Sequence, residues 1–448
     1  MVHQYKLGGA NIVVDPNSAS IHAVDDVAYD AIALYETEPQ DIIAARLRVK
    51  YPGVSDADVA ELFADLESLR AAGQLFTPAV PELPPESAPR RNAEIKALCL
   101  HVAHTCNLTC DYCFAGQGRY HGEQALMNAE TARRAIDFLL ERSGSRRNLE
   151  VDFFGGEPLL NFGVVRDVVA YARSLEAAAN KNFRFTLTTN GVLLGDEVTE
   201  FCNREISNVV LSLDGRRETH DARRKTPGGA GSYDLIVPKF QRFAAKRVGG
   251  WYIRGTYTAE NTDFTRDILH MLGLGFTELA MEPAVLPDGA PLALRESDLP
   301  ILFREYELLA EEMARRARDG APFRFYHYTL DLEGGPCLPK RLAGCGAGAE
   351  YFAVTPDGAL YPCHQLVGEE KYAAGDIWRG VDPNFKFARE SVAVRAECRD
   401  CWAKLYCSGG CAANAIHAAG DVNGVHAFGC ALFRKRLECA IWLQAAAE

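Results

Sequence analysis

The sequence predicts an α/β protein in which helices pack outside a parallel sheet. Three observations carry that class. Between residues 95 and 320, six strand-like runs alternate with six amphipathic helix-like runs, the signature of repeated β/α units. A proline-rich polar stretch at residues 81–91, Pro-Glu-Leu-Pro-Pro-Glu-Ser-Ala-Pro-Arg-Arg, can continue neither a helix nor a central strand. It sets a smaller N-terminal region apart. From Cys337 onward the alternation stops, and nine of the 14 cysteines lie there. The expected division is therefore 1–78, a linker at 79–94, 95–320 and 321–448.

Composition agrees with two or three domains, since 448 residues exceed one ordinary core. A hydrophobic content of 48% and a charged content of 24% are those of a soluble globular chain. The formal charge of -12 argues against nucleic acid as main partner, because phosphate binding needs basic surface. No apolar run reaches the roughly 18 residues of a membrane-spanning helix. The N-terminus, Met-Val-His-Gln-Tyr-Lys, lacks signal-peptide character. A cytoplasmic location follows as the expectation, and reduced thiols there favour metal binding over disulfides.

In the first region, Asn11–Asp15 and Ile21–Val24 read as short strands joined by a Pro-Asn-Ser turn. Helical apolar spacing follows at 25–35, 39–49 and 56–72, with Asp56 as expected N-cap of the last. Strand–strand–helix–helix–helix is a winged-helix-like pattern. In the second region the strands read 97–102, 149–154, 183–189, 208–213, 251–257 and 277–282. The helices read 129–142, 162–175, 196–202, 233–246, 263–272 and 299–318. In the third region few helices are expected before about 423–446.

Chemistry in β/α folds gathers at the C-terminal ends of the strands. Directly after the first of these strands comes Thr-Cys-Asn-Leu-Thr-Cys-Asp-Tyr-Cys-Phe, with Cys106, Cys110 and Cys113. A 4Fe-4S cluster normally takes four cysteines, so three leave one iron open. This triplet, with Tyr112 inside it, resembles the cluster loop of the radical S-adenosylmethionine (radical SAM) enzymes. The resemblance implies a partial (β/α)6 barrel, with the SAM amino group and carboxylate on the open iron.

Strand-end motifs match the same family. Gly155-Gly156-Glu157-Pro158 would hold the SAM amino group, with Glu157 able to accept from an ammonium. Asn190, in Thr-Thr-Asn-Gly, suits the ribose or the carboxylate. Ser212 and Asp214, in Ser-Leu-Asp-Gly, suit ribose hydroxyls. Arg254 suits the SAM carboxylate, because guanidinium pairs with carboxylates bidentately, or a barrel-interior ion pair. Glu282 falls near the expected adenine position, and Tyr112 could flank adenine or shield the cluster.

The C-terminal cysteines Cys398, Cys401, Cys407 and Cys411, preceded by Cys345 and Cys363 and followed by Cys430, resemble the SPASM domain with its two auxiliary clusters. Carried over by position, Cys398, Cys401, Cys407 and Cys430 bind one cluster. Cys345, Cys363 and Cys411 bind the other, for which Cys337 is the fourth candidate. If Cys337 does not reach, one iron is open to a substrate thiolate. Structural zinc is the alternative for this region. Cys99, Cys202 and Cys439 read as core residues.

Residues 1–78 resemble the RiPP recognition element, which docks a precursor-peptide leader by strand addition; a structural cap is the alternative. The whole chain resembles radical SAM/SPASM peptide maturases, nearest to the SCIFF type. Asp25-Asp26-Val27-Ala28-Tyr29-Asp30, Gly344-Cys345-Gly346-Ala347-Gly348 and Tyr361-Pro362-Cys363-His364-Gln365 carry that likeness. It implies three 4Fe-4S clusters, SAM, oxygen sensitivity and a flavodoxin- or ferredoxin-type reductant. The implied reaction is hydrogen abstraction by a 5′-deoxyadenosyl radical. A thioether then forms between a cysteine and a carbon, often of threonine, in a Cys-rich precursor peptide. Formylglycine formation, carbon–carbon crosslinking, epimerisation and non-catalytic electron transfer are the competing readings.

Overall fold

The computed structural model describes residues 2–79, 94–287, 289–332, 338–387 and 389–445. Most of the linker and Cys337 lie outside these residues. The first unit is an antiparallel sheet of β1 (His3–Leu7), β2 (Ala10–Val14) and β3 (Ile21–Val24), in that order. Three helices follow it: α1 (Asp26–Leu34), α2 (Gln40–Lys50) and α3 (Asp56–Ala71). β2 is two-faced, as strand alternation requires. Val13 packs with Ile32, Ile43 and Leu66 of the three helices. Ile12 and Val14 join the large core of the rest of the chain instead.

Two expectations need correction here. His3–Leu7 was not expected as a strand, since His-Gln-Tyr-Lys-Leu has no β-branched residue. Its order comes from pairing with β2 and from tertiary contacts. The His3 ring stacks on Trp402 with centroids 3.9 Å apart, and the Tyr5 hydroxyl donates to the Glu438 carbonyl oxygen at 2.9 Å. The N-cap of α3 is Ser55, not Asp56. Ser55 Oγ accepts from the Asp58 amide at 3.2 Å, while the Asp58 carboxylate accepts from the Ser55 amide at 2.8 Å. This reciprocal pair satisfies two amides that Asp56 cannot reach.

The second unit opens with β4 (Ala97–His104), β5 (Ala125–Leu126), α4 (Ala129–Arg142), β6 (Asn148–Gly155), α5 (Phe162–Ala179) and β7 (Asn182–Thr189). It continues with α6 (Asp196–Glu205), β8 (Asn208–Ser212), α7 (Arg217–Arg223), α8 (Tyr233–Lys246) and β9 (Gly250–Tyr257). α9 (Phe264–Gly273), β10 (Glu278–Pro283) and α10 (Leu299–Arg318) complete the β/α rhythm. The six expected strands stand side by side as β10-β9-β8-β7-β6-β4, all parallel. α7 was not foreseen; its sequence, Arg-Glu-Thr-His-Asp-Ala-Arg, has no apolar stripe.

The sheet does not stop there. β11 (Arg324–Phe325) adds beside β10. After α11 (Leu338–Ala343), β12 (Tyr351–Val354) pairs parallel with the far edge, β4. β13 (Ala359–Tyr361), β14 (Gly375–Asp376) and β15 (Gly380–Val381) follow antiparallel. The cysteine-rich segment thus extends the same sheet. It ends in α12 (Ala396–Arg399), α13 (Lys404–Cys407), α14 (Ala412–Ala419) and α15 (Ala427–Ala445). α15 lies against α10 and reaches β1, so the N-terminal sheet rests on the last helix. Among the described residues, no helix is long and apolar enough to cross a membrane.

Candidate active site

Strand alternation sorts the sheet into two faces. Leu98, Leu100, Val151, Phe153, Phe185, Leu187, Val209 and Ile253 are buried in the core under the helices. Their alternates turn to the inner face. The pairing registers place Cys99 beside Asp152 and Asp152 beside Thr186 there, and Ser212 beside Arg254.

The cysteine loop leaves the C-terminal end of β4 and is held from both sides. On one side it presses on the turn after β6. The Gly156 amide donates to the Ala103 carbonyl at 2.8 Å and the Glu157 amide to the Thr105 carbonyl at 3.0 Å. A Cβ on Gly156 would lie 2.1 Å from the Thr105 oxygen, and one on Gly118 would lie 2.7 Å from the Gly156 Cα. Only hydrogen side chains let these backbones meet. Gly156→Ala is therefore expected to force the loop and turn apart and to cut SAM binding at least about tenfold, since a one-methyl clash costs on the order of 1–3 kcal/mol. Equilibrium dialysis with labelled SAM checks this; unchanged affinity would refute it.

On the other side the loop is tied to the segment around α7. The Thr109 amide donates to the Lys225 carbonyl at 2.7 Å. Tyr112 donates its hydroxyl to Asp214 Oδ2 at 2.5 Å, and Arg224 Nε donates to the same oxygen at 2.9 Å. The other oxygen accepts from the Thr256 amide at 2.9 Å. Asp214 is fully buried. Burial alone would raise its pKa, but Arg224, with His220 and Tyr112, holds it below the usual carboxylate range. Asp214 was expected at the ribose. Its carboxylate is engaged with protein donors and fixes the cysteine loop. Arg224, the cation that makes this possible, was missed; within Arg-Arg-Lys it reads as an ordinary basic surface run.

The Glu157 side chain, expected to accept from the SAM ammonium, is buried behind the turn. It accepts from the Thr189 hydroxyl at 2.8 Å, the Asn190 amide at 2.8 Å and the Leu159 amide at 3.1 Å. Burial pushes its pKa up to about 7 against those bonds. Asn190 points at the loop: its Nδ2 donates to Asn107 Oδ1 at 2.8 Å and lies 3.6 Å from Cys106 Sγ. Ser212 is half-buried and Arg254 exposed on the inner face. Glu282 is not isolated. His327 Nε2 lies 3.1 Å from it, and Arg436 of α15 lies 3.7 Å away. Burial raises its pKa, but His327, Arg436 and Arg254 outweigh that and bring it to about 2.

The donor chemistry of the loop suits an iron–sulfur cluster. Cys106, Cys110 and Cys113 are electrostatic neighbours, and the Leu108 amide donates to Cys106 Sγ at 3.4 Å. Burial pushes the Cys106 thiol up to about 12 and the Cys110 thiol to about 11, so thiolates there require a cationic centre. Further along, Cys398, Cys401 and Cys430 act electrostatically on Cys407, and Cys345 and Cys411 on Cys363; among the described residues no three His, Cys, Asp or Glu side chains converge closely enough to hold a single metal ion. Cys99, Cys202 and Cys439 are buried. At the opposite, N-terminal end of the strands a cavity of about 520 Å³ opens among Asn208, Gly250, Tyr252, Arg324 and Tyr326.

Comparison with known proteins places this architecture. Residues 100–254 match the model of the Radical SAM superfamily. The chain is 25% identical over 335 residues to the cysteine-type anaerobic sulfatase-maturating enzyme of Clostridium perfringens, spanning 68% of this chain and 85% of that one. The solved structure of native anSMEcpe with bound AdoMet and Kp18Cys peptide superposes with a TM-score of 0.62 at 19% identity, over 79% of this chain and 99% of that one. Streptococcus suis SuiB bound to precursor peptide SuiA gives 0.54 at 14% identity, over 94% and 97%. At these identities the structural likeness is one of fold. Matched residues and fold point the same way: residues 100–254 match the Radical SAM superfamily, and the mixed α/β fold around them, with its parallel sheet, is similar to those of anSMEcpe and SuiB.

Proposed function

We propose that the chain is a radical SAM maturase that joins a cysteine sulfur to a carbon of an acceptor residue, often threonine, in a ribosomally made Cys-rich precursor peptide. The observation that carries this reading is the grouping of ten thiols. Three stand at the β4 loop, four around Cys407 and three around Cys363. A radical SAM domain implies one 4Fe-4S cluster and SAM; three clusters in all suit the three groups. Cys337, outside the described residues, is the candidate to complete the Cys363 group. The relatives lend support by name, since one structural neighbour holds a Cys-containing peptide and another a precursor peptide.

When bound, the cluster and SAM supply a carbon radical that removes a hydrogen atom from substrate. The chain's own residues do the rest. Cys106, Cys110 and Cys113 hold the cluster, with Asn190 and the Leu108 amide directed at Cys106. The Gly155–Glu157 backbone receives the SAM ammonium, Ser212 the ribose, Arg254 the carboxylate and Glu282 the adenine side. Tyr112 and Asp214 keep the loop from moving. The 1–78 region takes the leader: β3 is an edge strand with its outer side unpaired in the sheet, which suits strand addition. Ordering the leader there raises the local concentration of the core peptide. A flavodoxin- or ferredoxin-type protein is the proposed reductant.

The test is anaerobic reconstitution with SAM, dithionite and a short Cys-rich peptide. Loss of two hydrogens, with one thiol blocked from alkylation, is the expected result. A second reading, formylglycine formation, is favoured by the sulfatase-maturating relative. It predicts instead an aldehyde and loss of the sulfur.

A further inference from the structure

The N-terminal unit does not close its own core. Val13 of β2 packs under α1, α2 and α3, but Ile12 and Val14 turn the other way, into the core of the rest of the chain. The three-stranded sheet keeps its second face dry only while that face stays covered. Two surfaces cover it. One is α15, which β1 reaches and whose Trp442 ring lies against Gly8. The other is the segment from Cys398 to Cys407. Its Trp402 stacks on the His3 ring with the planes 5° apart. Lys404 Nζ donates to Asn17 Oδ1 at 2.7 Å, and the Tyr406 hydroxyl donates to the Ala19 carbonyl at 2.6 Å. Asn17 and Ala19 belong to the turn that leads directly into β3, the edge strand.

These three contact residues are interleaved with the thiols of one group, Cys398, Cys401 and Cys407. The segment has little to order it by itself. α12 and α13 have four residues each, far below the roughly 12–15 at which an isolated helix becomes even marginal. The fourth thiol of the group, Cys430, lies on α15. A centre bound by all four thiols joins the segment to that helix. It therefore fixes, relative to each other, the two surfaces on which the N-terminal sheet rests.

We propose, resting on the cluster reading above, that the metal centre of Cys398, Cys401, Cys407 and Cys430 is the seat of the N-terminal unit, with Trp402, Lys404 and Tyr406 as its positioning residues. Metal binding orders the segment, because ligation of a chain that is otherwise loose couples to its folding. The ordered segment then holds the turn before β3, so a peptide captured on that strand is presented from one fixed place. Without the centre, the seat loosens and Ile12 and Val14 lose their cover.

The test is amide hydrogen exchange on the full chain, reconstituted anaerobically with iron and sulfide and needing neither SAM nor peptide. Exchange is read in residues 3–24 and, for reference, in β6 and β7. In Cys401→Ala/Cys407→Ala, iron should fall to about two-thirds on the proposed count of three clusters. Exchange in 3–24 should quicken at least about tenfold, the worth of a ring stack and two hydrogen bonds, while β6 and β7 keep their protection. Cys345→Ala/Cys363→Ala should lose a like share of iron and leave 3–24 as in wild type. Trp402→Ala/Tyr406→Phe, which keeps every thiol, should keep its iron and still quicken exchange in 3–24. Loss of iron from the first variant with 3–24 unchanged overturns the proposal alone. So does equal quickening in the second variant, or quickening in the first that spreads to β6 and β7. A first variant that holds as much metal as wild type shows that these thiols carry no centre, and overturns the cluster reading and the proposal together.

Discussion

Replacing Cys106, Cys110 and Cys113 together by alanine will reduce deoxyadenosine formation to the level of buffer alone. The three thiols stand at the end of β4, against the Gly155–Glu157 turn. On the proposed count of three 4Fe-4S clusters, the variant should retain about two-thirds of the iron, because the two downstream thiol groups are untouched. Iron analysis and chromatography of the SAM products read both quantities. Deoxyadenosine persisting in the variant would sink the assignment of the cluster loop. Loss of all the iron would instead show that the three thiol groups do not load independently.

The second large effect is on stability. Arg224→Met leaves the Asp214 carboxylate buried without its cation. Breaking a buried pair by removing one partner costs about 3–5 kcal/mol. The penalty should appear as a Tm lower by roughly 10 °C in thermal denaturation. Adding Asp214→Asn to the same chain should recover part of it, since the unpaired charge is then gone. The sign with pH follows from the depressed folded-state pKa of Asp214. Its contribution is present above the ordinary carboxylate value of about 3.9 and is lost as pH falls through the lower folded value. Arg224→Met should therefore narrow its gap to wild type in acid. A gap that widens in acid would contradict the pairing.

The long periodic elements were legible because their signal is repeated. α4, α8 and α10 run over the residues that apolar spacing predicts, and each strand of the six is within one or two residues of its expected bounds. β1 was not legible. Its five residues carry no pattern of their own and are ordered by Trp402, Glu438 and β2, partners hundreds of residues away or across a turn. The site divides the same way. The spacing of Cys106, Cys110 and Cys113 is written locally. The orientation of Glu157 and Asp214 is not, because a carboxylate in a strand-end turn can face a ligand or the protein. Here Thr189 decides the first and Arg224 the second.

The pairing of β12 with β4 has a consequence for how this molecule comes to be folded. It sets Tyr351 beside Ala97, roughly 250 positions apart in the chain. Closing so long a loop is entropically costly, and parallel pairings of this kind form late. Until it closes, β4 presents a bare hydrophobic edge, Ala-Leu-Cys-Leu-His-Val-Ala-His, immediately ahead of three thiols. An exposed apolar edge is a template for pairing with another chain. Yield in refolding should therefore fall steeply with protein concentration, and be set by the race between intramolecular closure at β4 and capture of that edge by a second molecule.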